Sequence, residues 1–373
     1  MNLADVVPLL GFALAFVFGA ISQRTSFCTM GAFSDAVTFG DLGRLRMYVL
    51  AMAVAMLGAQ GLQYAGSVDL QQSIYAGSRF LWLAHAVGGL LFGVGMTLAS
   101  GCGARNLVRL GGGNLKSLMV LGVMSVTAYA TLRGLLAPLR VHAIEAVYIS
   151  LPSGQTLPSV LGWAQSGMVI SAVVALPVIL WCLSARSFRT SADLLFGGAI
   201  IGLLVVGGWY VTGHMGFVPE DPDTLEALYV GTNTHRPESL TFVAPMAFGL
   251  EWLTLWTDGS RHITFGIAAM AGTLSGAAVH AWMTGRFRWE MFTSPGDVAR
   301  HLVGAVLMGF GGVTALGCSI GQGITGLSTL SLGAAVTLVF VAVGCILTLK
   351  IVAWRLESRG VALVSPGTHS HQR

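Results

Sequence analysis

Apolar runs long enough to cross a bilayer alternate with short polar connections along nearly the whole chain. A spanning helix needs about 20 apolar residues. Such runs fall near 6–22, 47–64, 81–101, 117–136, 166–184, 193–212, 263–283, 300–317 and 331–353. The pattern predicts nine transmembrane helices. A tenth apolar stretch, 240–256, contains Pro245, Glu251 and two tryptophans, and is expected to lie at the interface or insert only in part.

Charge sets the orientation, because Lys and Arg gather on cytoplasmic ends. With nine spans, Arg44 and Arg46, then Arg105, Arg109 and Lys116, Arg186 and Arg189, Arg286 and Arg288, and finally Lys350, Arg355 and Arg359 all fall in the cytoplasm. The acidic run from Glu220 to Glu226 falls outside. A tenth span would move Arg286 and Arg288 outside. Arg133 and Arg140 fit less well, since nine spans place both outside. Asp5 precedes the first apolar run and Arg24 follows it, which argues for a retained first helix with its N-terminus outside rather than a cleaved signal.

Composition narrows the class. Of 373 residues, 54% are hydrophobic and 10% charged, against roughly 25% charged in a soluble domain, so the bilayer is the main solvent. The net charge of +4 is small, and no basic patch interleaved with aromatics points to nucleic acid. Fifty glycines predict close helix packing and non-helical backbone at depth.

One span occurs twice, and both copies end in Gly-Cys. His85–Cys102 (HAVGGLLFGVGMTLASGC) and His301–Cys318 (HLVGAVLMGFGGVTALGC) agree at nine of eighteen positions, including Gly88/Gly304, Gly95/Gly311, Ala99/Ala315 and the cysteines. With nine spans the copies run in opposite directions. The expected architecture is an all-α polytopic membrane protein, one domain over 1–373, built as two inverted repeats (about 6–136 and 193–353) around a linker helix at about 166–184, with short re-entrant or interfacial helices. Transporters are built this way, with substrate sites near the midplane.

The thiols at the repeated ends are the candidate chemistry. Five cysteines are spread widely without CxxC or zinc spacing, so neither a disulfide framework nor a metal is expected, and no cofactor motif is present. Cys182 and Cys345, inside apolar helices, read as packing. Cys102 and Cys318 are each followed by a break rich in Gly, Ser, Asn, Gln and Thr, and the second break carries no charge. Both read as re-entrant backbone. Asn106 and Gln322 occupy matching positions after the two cysteines. Cys28 lies in a similar break (SQRTSFCTMGAFSDAVTFGD), with a weak echo at Tyr210–Phe217 that lacks the cysteine. Arg24 and Arg105 stand close to Cys28 and Cys102 and offer an anion-attracting approach. His85 and His301 lie about 25 Å from their own cysteines along each helix, so inversion places each on the side of the other copy's cysteine. Two readings of the thiols stand. Neutral S–H groups are weak donors that suit conduction of a soft anion. Alternatively the cysteines form transient persulfides or disulfides in a membrane oxidoreductase or sulfurtransferase.

The segments SFCTMGAF, SGCGARNLVRLGGGNLKSL and ALGCSIGQGITGLSTLSLGA resemble the YeeE/YedE family of bacterial inner-membrane sulfur transporters, over nearly the whole chain. The resemblance implies uptake of thiosulfate, not an enzyme's reaction. It implies an hourglass-shaped path in which three cysteines pass the anion along by S–H···S hydrogen bonds; by motif these are Cys28, Cys102 and Cys318. It also implies nine spans with re-entrant helices, and a small cytoplasmic sulfur carrier of the TusA type as partner. Some members are linked to selenium, and the acidic outer segment 219–240 leaves a selenium or other sulfur species open as substrate.

Overall fold

The computed structural model describes residues 3–163, 166–220, 227–258 and 262–358. Asp221–Glu226 of the acidic run, and Arg359, lie outside the described residues. The chain forms fourteen α-helices there: α1 (Leu3–Thr25), α2 (Thr29–Thr38), α3 (Gly43–Tyr64), α4 (Trp82–Leu98), α5 (Gly103–Gly111), α6 (Leu115–Leu132), α7 (Leu157–Val160), α8 (Gly167–Ser184), α9 (Arg186–Thr190), α10 (Ala192–Tyr210), α11 (Val243–Thr254), α12 (Phe265–Met283), α13 (Pro295–Thr314) and α14 (Leu332–Ser358). Sheet is confined to two antiparallel two-residue ladders, Arg79–Phe80 with Ile149–Ser150 and Phe217–Val218 with Leu228–Tyr229. The protein is an all-α polytopic membrane protein.

Among the described residues, seven helical stretches are long and apolar enough to cross a membrane. Two of the nine expected spans, at α12 and α13, fall short in apolarity rather than length, at 19 and 20 residues. Glycine, alanine and His280 dilute α12, and α13 carries Asp297, Arg300 and His301 near its start. The 240–256 stretch forms α11, whose 12 residues reach only about 18 Å, too short to cross. Its start is buried: Phe242 stacks on Phe18 at 5.5 Å, and Val243 packs against Gly312. The two arginines that strained the charge rule are paired. Arg133 meets the buried Glu251 at 2.8 Å, and Arg140 meets Glu145, so neither presents an unbalanced positive charge.

Glycine sets how closely the helices approach. In lipid no hydrophobic force drives helices together, so backbone contact and van der Waals packing hold them. Here α4 and α13 run antiparallel and touch through glycine. A Cβ on Gly88 would lie 2.6 Å from Ala315 N, and one on Gly304 2.7 Å from Ala99 N. Gly95 faces Gly304, and Gly311 faces Gly88. Every contact thus has a counterpart with the two sequence copies exchanged. The same exchange extends outward. Gly93 of α4 meets Val341 and Cys345 of α14, while Gly309 of α13 meets Met124 and Ala128 of α6. Likewise α1 packs on α12 and α10 on α3, and α2 reaches α14 as α11 reaches α6. α8 packs on α3 and turns Val169, Val173, Leu176 and Leu180 outward as one exposed stripe, an arrangement suited to lipid.

Candidate functional site

Three helices end alike, two residues before a cysteine. Ser26, Ser100 and Leu316 are left-handed, with φ of 53°, 56° and 60°. The next N–H turns back five residues: Phe27 N to Ser22 O (3.1 Å), Gly101 N to Met96 O (2.8 Å) and Gly317 N to Gly312 O (2.8 Å). This is a Schellman ending. Glycine normally takes the left-handed position, and a side chain there costs about 1–2 kcal/mol. The chain then restarts at once as helix. The carbonyls of Cys28, Cys102 and Cys318 accept from Ala32 N (2.9 Å), Asn106 N (2.9 Å) and Gln322 N (2.7 Å). Cys28 and Cys102 therefore cap α2 and α5, and Cys318 precedes the π-helical turn Gly321–Gly326.

All three thiols sit where unpaired backbone N–H groups make a helix start electropositive. Cys28 Sγ accepts from Gly31 N and Cys318 Sγ from Gly321 N, each at 3.3 Å. Thr241 Oγ1 lies 4.0 Å from Cys318 Sγ. Cys102 Sγ caps no N–H and is within electrostatic reach of both Cys28 and Cys318. Cys28 and Cys102 line one small cavity with Ser22, Thr29, Arg105 and Ile320. Its volume of about 10 Å³ holds at most one water, so the gap between the thiols is closed to a larger anion in this conformation.

The polar groups around the thiols are unusually unsatisfied. Ser22 Oγ and Gln322 Oε1 are buried without a hydrogen-bond partner among the described residues, while the Thr29 and Ser319 hydroxyls have Tyr48 and Cys102 as neighbours. Each such orphan costs about 1–3 kcal/mol. A polar species passing the thiols would relieve that cost. No cluster of metal-ligating side chains occurs among the described residues, and all five cysteines are free and buried.

The remaining residues singled out from the sequence divide. Arg105 lines the cavity and donates from Nη1 to Ser22 O at 3.4 Å. Arg24 does not line it; it is exposed and paired with Asp193 at 2.9 Å. Asn106 Nδ2 donates to Gly101 O (2.9 Å) and Cys102 O (3.1 Å), and Gln322 Nε2 to Ala315 O (2.5 Å). Both amides tie the break to the end of the preceding helix. His85 and His301 are buried but away from the cavity. His85 Nδ1 pairs with Thr337 Oγ1, and His301 Nδ1 with Asp297 O, both at 2.8 Å. The echo of the Cys28 break is not at Tyr210–Phe217, where Val211–Met215 extends α10 as a π-helical turn. The element that packs as α2 does is α11, and Phe242 caps it where Cys28 caps α2. The long 219–240 insertion hid that match. Sequence reasoning also missed Ser22, Thr29 and Tyr48, whose hydroxyl donates to Ser319 O at 2.6 Å; the only signal was the abundance of Ser and Thr beside the cysteines.

Comparison with known proteins bears on this arrangement. A family model described as sulphur transport matches residues 24–347. The thiosulfate transporter TsuA of Spirochaeta thermophila is 26% identical over 347 residues, covering 90% of this chain and 96% of that protein. The protein of the same name from Escherichia coli K12 is 26% identical over 345 residues, covering 90% and 92%.

Proposed function

The chain belongs to the sulphur-transport (YeeE/YedE) family, and from that premise we propose that it is a thiosulfate permease whose path runs past Cys318, Cys102 and Cys28. The observation that carries the reading is the threefold local device: a left-handed helix ending, a cysteine, and a new helix start, repeated at three places, with Cys28 and Cys102 lining one cavity and Cys318 within electrostatic reach of Cys102. Helix starts favour anions, and neutral thiols bind weakly enough to release them. Thiosulfate carries a terminal sulfur that matches an S–H donor. The capped sulfurs of Cys28 and Cys318 accept from backbone, which leaves their S–H free to donate onward.

In the same proposal the exchanged contacts of α4 with α13 reflect two inverted repeats, with nine spans and α8 as the linker. The protein sits in the bacterial inner membrane, N-terminus outside and C-terminus cytoplasmic, so Cys318 faces the outer half and Cys102 the inner. Thiosulfate then moves from Cys318 towards Arg105, and a small cytoplasmic sulfur carrier of the TusA type works alongside.

Growth on thiosulfate as sole sulfur source, in a host lacking other uptake routes, tests the path. Cys102→Ala and Cys318→Ala are expected to reduce growth severely, and Cys102→Ser less so, because serine retains a donor. Full growth of both alanine variants would remove the thiols from the mechanism. A persulfide found by mass spectrometry after turnover would instead favour covalent sulfur transfer.

A further inference from the structure

A half-buried acid, Glu238, stands on the stretch between α10 and α11 that reaches the outer thiol through Thr241. Glu238 is held at its backbone by Thr212: its N–H donates to Thr212 Oγ1 (3.1 Å), and that hydroxyl donates to Glu238 O (2.5 Å). Ser239 Oγ donates to Val205 O (2.7 Å), and Leu240 O accepts from Thr325 Oγ1 (2.7 Å). The next residue, Thr241, contacts Cys318 Sγ. The acid is thus three residues from the thiol's neighbour, on a rigidly pinned strip. Glu238 Oε1 is buried with no hydrogen-bond partner among the described residues. A spare buried carboxyl oxygen is costly unless the group is neutral or waits for a ligand.

Among the described residues no counter-charge acts on the carboxyl. Thr212 faces it from the turn after α10, and Gly266 N–H from α12. Tyr75, buried against Trp209, is within electrostatic reach of both the Glu238 carboxyl and the Cys318 thiol. The re-entrant stretch contributes Thr325, and the charged or titratable residues beside Glu238 in its own strip, His235 and Arg236, are exposed. Burial pushes the carboxyl up to about 8. The position matters too. Glu238 stands four residues before the cap of α11, as Arg24 stands four before the cap of α2.

We propose that Glu238 is a proton-binding residue of the outer mouth, which as a neutral acid donates a hydrogen bond to the arriving sulfur anion and as a carboxylate repels it. This rests on the permease reading above. A neutral carboxylic acid in an apolar site is a strong donor to developing or resident negative charge. A carboxylate a few ångströms from a dianion in a poorly solvated mouth opposes binding. The outer proton concentration then sets how often the mouth accepts substrate.

The test is initial uptake of labelled thiosulfate into proteoliposomes, with the lumen buffered and the outer pH varied. A site near 8 is almost wholly neutral at about pH 6.5 and about one-tenth neutral at pH 9, so parent uptake should fall about tenfold across that range. Glu238→Gln keeps a donor and cannot ionise. It should give a flat profile and exceed the parent at about pH 9. Glu238→Asp keeps the acid and should retain a pH-dependent profile with a moved midpoint, which guards against poor folding of the glutamine variant. A glutamine variant that follows the parent's fall, or a parent with robust uptake and no fall, overturns the proposal. A parent that moves no thiosulfate at any pH overturns the permease reading instead.

Discussion

Gly88 and Gly304 make the sharpest test of how α4 and α13 are joined. Substituting either by alanine puts a methyl 2.6–2.7 Å from a backbone nitrogen of the facing helix, with a carbonyl oxygen at 2.7 Å as well. An ordinary contact is roughly 3.5 Å, so the helices must part by about 0.8 Å. Backbone atoms within a helix cannot swing aside as a side-chain tip would. Overpacking of this kind costs about 1–3 kcal/mol, and the two substitutions should cost alike because their contacts are exchanged copies of each other. Once one methyl has parted the helices, the second finds the space already open. The double variant should therefore fall short of the sum of the singles. Gly122→Ala is the control: no atom lies within 4 Å of the added methyl, and the substitution should stabilise α6 by about 0.5–1 kcal/mol. Thermal and denaturant unfolding in detergent micelles reads all four. If either single variant behaves like Gly122→Ala, or the double equals the sum, the two helices are not locked by one shared approach. Gly88→Ala and Gly304→Ala should also slow thiosulfate uptake, and Gly122→Ala should not, since the crossing positions the helix ends that carry Cys102 and Cys318.

Ser100→Gly should stabilise the protein by about 0.5–1 kcal/mol, because φ of 56° costs glycine little. Ser100→Val should destabilise it by about 2 kcal/mol, since a branched side chain is worst there; equal unfolding midpoints would mean the turn is not strained. Arg105→Gln should reduce uptake at least several-fold, while Arg24→Gln should change it little, because an exposed pair such as Arg24–Asp193 contributes about 0–1 kcal/mol. A reversed order in a transport assay would move the inner vestibule from α5 to α1.

The bundle and its repeated span were legible because lipid demands long apolar runs and because glycine contacts leave a sequence imprint at Gly88/Gly304 and Gly95/Gly311. The cysteines were legible through the duplication. Cys28 is different. It has no sequence partner, yet its backbone follows the same course as the other two, since a Schellman ending is set by dihedral angles that serine at 26 and 100 and leucine at 316 reach alike. Conformation at these positions overrides residue preference, so no propensity scale shows it. His85 and His301 carry a different ambiguity. Identical residues at matched positions report shared packing as readily as shared chemistry: the Nδ1 atoms pair with Thr337 and Asp297, while His85 Nε2 has no hydrogen-bond partner among the described residues. Arg24 is close to Cys28 in sequence, but it is exposed and paired with Asp193 while Cys28 lines the cavity.

The exchanged packing also governs how the molecule is made. α1 rests on α12, α3 on α10, and α4 on α13 and α14, so the early helices meet these partners only after half or more of the chain has been synthesised. Local contacts form quickly, whereas pairings this distant in sequence are slow and leave surfaces exposed meanwhile. The first three long helices must wait in the bilayer with glycine-lined faces unfilled. Cys28 and Cys102 are translated well before Cys318. Severing the chain between α6 and α8 would yield two fragments that each lack the other's glycine-facing surfaces, and neither would hold a complete set of thiols until they met.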